Sequence, residues 1–207
     1  ADRRIITRII EATRAGVIGK RRQELARYIP VNTSWRELAG YVFPKPGDFV
    51  PYAIYMMLET QANPSGVLNL QVDCLTDHPV DPLKKRLAWD KFRATQEQSA
   101  DVGTEGAYAI PKLIDEVRSA TELIRPFAGH HRTRLFITPW QGAASIVSVQ
   151  AWHNELDAFI RKCGLPDFNF VDLRASTIAV LAARGEGFDQ LQRRLQHRNA
   201  ETTDLYI

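Results

Sequence analysis

The sequence predicts an α+β domain, mostly helical, with a small antiparallel sheet set between its helices. Three observations predict it. Ala109 to Phe127 places Ile110, Leu113, Ile114, Val117, Ala120, Leu123 and Ile124 at helical spacing, with Pro111 in the first turn, where its missing N–H is harmless. Arg86 to Phe92 alternates Leu87, Trp89 and Lys91 against Ala88, Asp90 and Phe92, the period of a strand with one covered face. The patterns run in the order helices, a short group of strands, then helices again, with no repeat or low-complexity tract.

Each element has its own signal. From Asp2 to Tyr28, Ile5, Ile6, Ile9, Ile10, Val17 and Leu25 recur near helical spacing, and Gly16 and Gly19 interrupt them, which gives a helix, a break and a second helix. Pro30 and Asn32-Thr33-Ser34 end that segment and offer a cap for a short helix at Trp35 to Ala39. Pro44-Lys45-Pro46-Gly47 is a loop, and the main domain is expected to begin near residue 37. Asp48 to Thr60 is an apolar helix stopped at Asn63-Pro64-Ser65-Gly66, with a helical turn following at Val67 to Leu70. Val72 to Leu75 and Arg86 to Phe92 are the expected strands, separated by a turn at Asp77-His78-Pro79-Val80-Asp81-Pro82. After the helix at Ala109 to Phe127 come a strand at Arg134 to Thr138, a helix at Ser145 to Cys163, a loop at Gly164 to Phe170, a helix at Asp172 to Arg184 and a final helical stretch at Phe188 to Gln196.

Composition removes some functional classes. With 44% apolar and 25% charged residues, the 207-residue chain can bury a sizeable core and is not a disordered tail. Its longest strongly apolar stretch, Val50 to Leu58, is interrupted by Pro51 and is far shorter than the roughly 20 residues of a membrane span. No signal-peptide pattern opens the chain. Cys74 and Cys163 are the only cysteines and have no Cys or His neighbours at metal-ligand spacing, which argues against a disulfide framework or a zinc site. A reducing, cytoplasmic setting is expected. Residues 1–36 carry nine Lys/Arg and three Asp/Glu, a net of +6, so the basic excess is N-terminal and suits a phosphate backbone or, more plainly, a solvated helix face.

The chemistry-bearing residues gather at the C-terminal end. Asp172-Leu173-Arg174 is followed by Ala183-Arg184-Gly185, by Leu195-Gln196-His197 and by Thr203-Asp204-Leu205-Tyr206, with Tyr206 nine residues beyond His197. This series resembles the final boxes of the tyrosine recombinase, or phage integrase, family: Asp-Leu-Arg, Leu-Gly-His and Thr-x-x-Tyr, with the same interval between histidine and tyrosine. The resemblance implies the catalytic-domain fold of that family over about residues 37–207. It makes residues 1–36 a basic helical linker or the remnant of a core-binding domain.

It further implies site-specific cleavage and rejoining of double-stranded DNA, with Tyr206 as nucleophile in a phosphotyrosine intermediate and with no metal or nucleotide cofactor. A phenol with an ordinary pKa of about 10 needs help to attack at neutral pH, and the crowded phosphorus needs cationic donors. Arg174 fits a two-pronged phosphate clamp and His197 a further donor. Lys91, in Trp89-Asp90-Lys91-Phe92-Arg93, corresponds to the hairpin lysine that protonates the leaving 5′ oxygen. Lys84, Lys85, Arg86 and Arg93 rival it for that role. The implied assembly is a homotetramer on DNA and a monomer in isolation, in a nucleoid-associated, non-membrane setting. The chain opens without methionine and is expected to be part of a longer protein.

Two positions depart from the pattern. The family's first arginine lies in a Thr-Gly-x-Arg turn, and here the run is Thr60-Gln61-Ala62-Asn63, so Asn63 stands in its place. Val171 stands where the family usually has a histidine, three residues before Arg174. Asn63 still offers one neutral donor to phosphate, and Arg93 and Arg132 are the cations that could replace the missing charge. The alternative reading is therefore a recombinase-derived DNA-binding protein with weak or no cleavage. A third is a helical interaction protein in which the C-terminal match is accidental. His130-His131 beside Arg132 and Arg134 reads as an exposed loop more readily than as a metal or phosphate site.

Overall fold

The computed structural model describes residues 3–14, 40–90, 97–140, 143–187 and 189. Helix α1 (Arg3–Arg14) leads. The Pro46–Phe49 turn then feeds α2 (Val50–Thr60), and α3 (Pro64–Leu68) follows. Strands β1 (Leu75–Asp77), β2 (Lys84–Asp90) and β3 (Glu97–Gly103) form an antiparallel sheet in that order, with Leu75 opposite Leu87 and Trp89 opposite Gln98. Helix α4 (Ile110–Glu122) comes next, then the β4 (Ile137–Trp140) and β5 (Ala143–Ile146) hairpin, and finally α5 (Val149–Cys163) and α6 (Phe170–Ala183). The architecture is the α+β arrangement expected, helical with a small antiparallel sheet.

The helices begin where their capping chemistry allows. Ser148 accepts a hydrogen bond from the Ala151 amide and opens α5, so Ser145 and Ile146, expected in that helix, instead finish a strand. Gly164 closes α5 in the left-handed region at φ 62°, a conformation costly for a residue with a Cβ. Pro111 sits in the first turn of α4 as expected. The first strand begins three residues later than the expected Val72, because that amide donates to the Thr133 carbonyl and Gln71 bridges to Arg134. β3 escaped the sequence reading altogether.

The main core gathers Phe49, Met56, Met57, Leu87, Trp89, Ile114, Leu135 and Trp152 between the helices and one face of the sheet. Its centre is aromatic: Phe136 lies 5.3 Å from Phe49 and 5.4 Å from Trp152, and Trp152 lies 6.1 Å from Phe170, the last two contacts edge-on. A second cluster holds Ile9, Phe43, Ile124, Ala128, Ile137 and Ala144. Through Ile9 the leading helix therefore packs on the β4–β5 hairpin and the end of α4. The division expected between residues 36 and 37 lies outside the described residues, as do the helices expected beyond Gly16 and at Trp35 to Ala39.

The two thiols are placed differently. Cys74 is buried and its pKa is pushed up to about 12 by that burial, while Cys163 at the end of α5 is exposed. A disulfide-exchange reagent is expected to titrate one thiol in the native protein and two after denaturation. Two equally fast native thiols would contradict this burial.

Candidate active site

The Asn63 turn is the best-defined part of the site. Helix α2 stops at Gln61, whose backbone is left-handed at φ 52° and whose side-chain Nε2 donates to the Leu58 and Glu59 carbonyls. Asn63 then opens α3: its Oδ1 accepts from the Gly66 amide and from Ser65 Oγ, each at 2.7 Å. Its Nδ2 donates to Gln98 Oε1 of β3 at 3.3 Å, and the same oxygen accepts from Trp89 Nε1 of β2 at 3.2 Å. Gln98 is buried, so both donors satisfy an oxygen that water does not reach freely. Asn63 is thus an N-cap and a tie to the sheet.

Gly66 completes this junction. A Cβ built there would lie 2.3 Å from Trp89 Cδ1, so only glycine lets the indole close over the turn. Gly66→Ala is expected to cost about 1–3 kcal/mol through overpacking, read as a lowered midpoint in urea. An unchanged midpoint would show that the indole moves aside freely. Asn63→Ala is expected to cost about 1–2 kcal/mol, from the lost cap and from a buried Gln98 oxygen left with one donor. Asn63→Ser, which keeps a cap, should recover part of that loss.

The junction fixes the base of the β2–β3 hairpin. Asp90 and Glu97 are its last paired residues, and the connection between them carries Lys91 and Arg93, which lie outside the described residues. Three rivals of Lys91 are already engaged on the sheet. Lys84 pairs with Asp81 at 3.3 Å, Lys85 with Asp77 at 2.6 Å, and Arg86 with Asp101 at 3.0 Å. Hydrogen bonds from Lys85 and Arg86 hold Asp77 and Asp101 below the usual carboxylate range, and the Leu83 amide and Lys84 do the same for Asp81. These pairs persist at neutral pH and are released only in acid.

Arg174 lies on α6, whose start is built by a capping box. Asn169 Oδ1 accepts from the Val171 and Asp172 amides, and Asp172 Oδ2 accepts from the Asn169 amide. Phe170 and Ile178 are the buried anchors of this helix; Arg174, in its second turn, is half-buried. Val171 is exposed, so a larger polar side chain would fit there without disturbing the core. Helix α6 packs against α2, the helix that runs into the Asn63 turn. The helix bearing Arg174 thus packs on the helix that precedes the Asn63 turn, and that turn is tied to the base of the hairpin that leads to Lys91. His197 and Tyr206 lie outside the described residues.

Gln98 and Trp89 were not marked as site residues by the sequence. The sequence carries little signal for Gln98, because the inward phase of β3, Gln98, Ala100 and Val102, is too polar and too small to mark a covered face. Among the described residues no three His, Cys, Asp or Glu side chains group as a metal ion would need. No described helix is long and apolar enough to cross a membrane.

No family model and no curated protein matches the chain. Two solved structures of the XerH site-specific recombinase do: a pre-cleavage complex with difH substrate at TM-score 0.57 and 15% identity, and a post-cleavage complex with palindromic difH substrate at TM-score 0.58 and 14% identity. Each match covers 100% of this chain and, respectively, 49% and 48% of the XerH chain, so this chain spans about half the length of those proteins. The likeness is one of fold: the chain is built as a tyrosine recombinase catalytic domain is, the architecture that its C-terminal motifs imply.

Proposed function

We propose that this protein cleaves and rejoins double-stranded DNA at specific sites through a covalent intermediate on Tyr206. One observation carries the reading: Arg174, His197 and Tyr206 occur in the family's order and at its spacing, on a chain with the family's fold. Tyr206 Oη gives its proton to water and attacks the phosphorus, the bond to the 5′ oxygen breaks, and that oxygen leaves as a hydroxyl with a proton from Lys91. Arg174 and His197 offset the charge that gathers on the non-bridging oxygens. No metal or nucleotide enters this scheme. The XerH structures are pre-cleavage and post-cleavage complexes with difH substrate, which supports the same substrate class here; a tetrameric assembly on DNA and a nucleoid-associated setting belong to the same proposal.

The experiment is incubation with a nicked suicide duplex carrying the cognate site, followed by denaturing electrophoresis. A covalent protein–DNA adduct is expected, and its absence in Tyr206→Phe. The geometry of Asn63 favours a second reading, a DNA-binding protein that cleaves poorly, because the side chain in the first arginine's place is engaged as a helix cap. Tight binding of the cognate duplex with no adduct would establish that reading instead.

A further inference from the structure

The cations of strand β2 are paired with aspartates, whereas most of those at the far end of α3 have no carboxylate partner among the described residues. There the segment 69–72 runs beside 132–134: the Val72 amide donates to the Thr133 carbonyl, and the Leu135 amide donates to the Leu70 carbonyl. Four arginines converge on this seam. Arg118 donates through Nε and Nη2 to the Val72 carbonyl and through Nη1 to Asp115. Arg125 Nη1 donates to the carbonyls of Arg132 and Arg134, both at 2.7 Å, and Arg134 Nη1 donates to the Asn69 carbonyl at 2.7 Å. Arg132 is exposed, and the rings of His130 and His131 lie 3.7 Å apart beside it.

Backbone carbonyls satisfy the geometry of these guanidiniums without cancelling their charge. Among the described residues, Asp115 is the one carboxylate in an ion pair with the four, and Arg125, Arg132 and Arg134 have none. Lys84, Lys85 and Arg86 each have an aspartate. The crowding is felt: burial and then Arg118 lower the pKa of Arg125, and burial, His130 and Arg134 lower that of His131. A half-buried cation without a counter-ion is unfavourable in a folded chain unless an anion arrives to complete it.

We propose that this seam is a sequence-independent docking surface for the phosphodiester backbone of double-stranded DNA, with Arg132 and Arg134 as the donors offered to phosphate. Arg118 and Arg125 form the layer beneath. Arg125 holds the carbonyls of both presenting residues, exposed Arg132 and half-buried Arg134, so the presenting backbone is fixed before the ligand arrives. Asn69, which receives Arg134, follows the helix that Asn63 opens, so the seam starts about 9 Å from the candidate site at 1.5 Å per helical residue. Duplex DNA carries a charge every ~1.7 Å of its axis, so a duplex at the Asn63 turn has phosphates at that range. The choice of DNA as the polyanion rests on the proposed function; the anion site itself rests on the uncompensated arginines.

The test is the salt dependence of binding to a duplex of unrelated sequence, between about 50 and 200 mM salt, for the whole chain. Each phosphate that is no longer neutralised should reduce the log–log slope by ~0.9, so Arg132→Gln should remove about one such increment and Arg132→Gln/Arg134→Gln about two. Binding to cognate and unrelated duplexes should weaken by the same factor. Arg134→Lys keeps the charge and should keep the slope, which separates charge from local structure. Arg132 is exposed and its side chain has no hydrogen bond or ion pair among the described residues, so an unchanged slope in Arg132→Gln would overturn the proposal rather than report misfolding. Should the wild-type protein form no adduct while Arg132→Gln and the double variant lose their increments of slope, cleavage fails and the seam stands. Should it form the adduct while Arg132→Gln and the double variant keep the full slope, the seam fails and cleavage stands.

Discussion

Arg174→Gln is expected to slow formation of the covalent adduct by about 10²–10³-fold at saturating DNA, the usual consequence of losing one charged donor from an oxyanion-stabilising site. The loss should fall on the rate rather than on duplex affinity, because the guanidinium meets most charge when the phosphorus is five-coordinate. Glutamine retains two N–H groups but neither the reach, the charge nor the rigid fork, and Arg174→Lys, which restores charge alone, should recover only part. Because α6 is held by its Asn169–Asp172 capping box and by Phe170 and Ile178, a thermal melt of the variant separates loss of the clamp from loss of the helix. Single-turnover capture of a nicked duplex measures the effect, and a rate within a few-fold of wild type would remove Arg174 from the clamp.

The same reasoning sets the terms for refilling the first arginine's position. Asn63→Arg would supply a second cation, yet it removes an N-cap worth about 1 kcal/mol and the tie to Gln98. Val171→His carries no such cost, since that side chain is exposed. The two substitutions are therefore not equivalent repairs, although the sequence presents them as a pair.

Why the sequence could present them so shows what was legible. Spacing along the chain located Asn63 and Val171 relative to Arg174, and helical periodicity located α4 and α6 to within a few residues, because one buried stripe dominates α4 and caps punctuate both ends of α6. What spacing does not carry is the partner of a polar side chain. Asn63 meets Gln98 across 35 positions, and Gln98 sits in a strand whose inward phase reads Gln98, Ala100, Val102, too polar and too small to announce a covered face. The arginine seam was hidden for the same reason. Arg118, Arg125, Arg132 and Arg134 are scattered through a helix and a loop, and only folding brings them against segment 69–72. The run Ser145-Ile146-Val147 was likewise absorbed into a helix, because the cap at Ser148 competes with a hydrophobic pattern that continues across it.

Trp152→Ala should be the most destabilising of the single substitutions considered, at about 3–5 kcal/mol. The indole is 2% exposed and touches Phe136 and Phe170 edge-on, so its removal opens a cavity walled by rings that cannot collapse without leaving their own rotamers. Against a total stability of about 5–15 kcal/mol, that loss should lower the thermal midpoint by roughly 6–20 °C for a chain of this size. Trp140→Ala is the control: Trp140 is 63% exposed, and its loss should change stability by no more than about 0.5 kcal/mol. Calorimetry of the two variants decides the matter, and equal midpoints would show that the aromatic centre is not the keystone of this core. The consequence reaches the candidate site, because Phe170 is the first residue of α6 and Arg174 stands one turn further along the same helix. Trp152→Phe, which fills part of the cavity, should therefore fold at lower temperature and still slow adduct formation, since Phe170 would lose the face that seats the helix. A Trp152→Phe variant with lowered stability and an unaltered cleavage rate would show that α6 is held by its capping box alone.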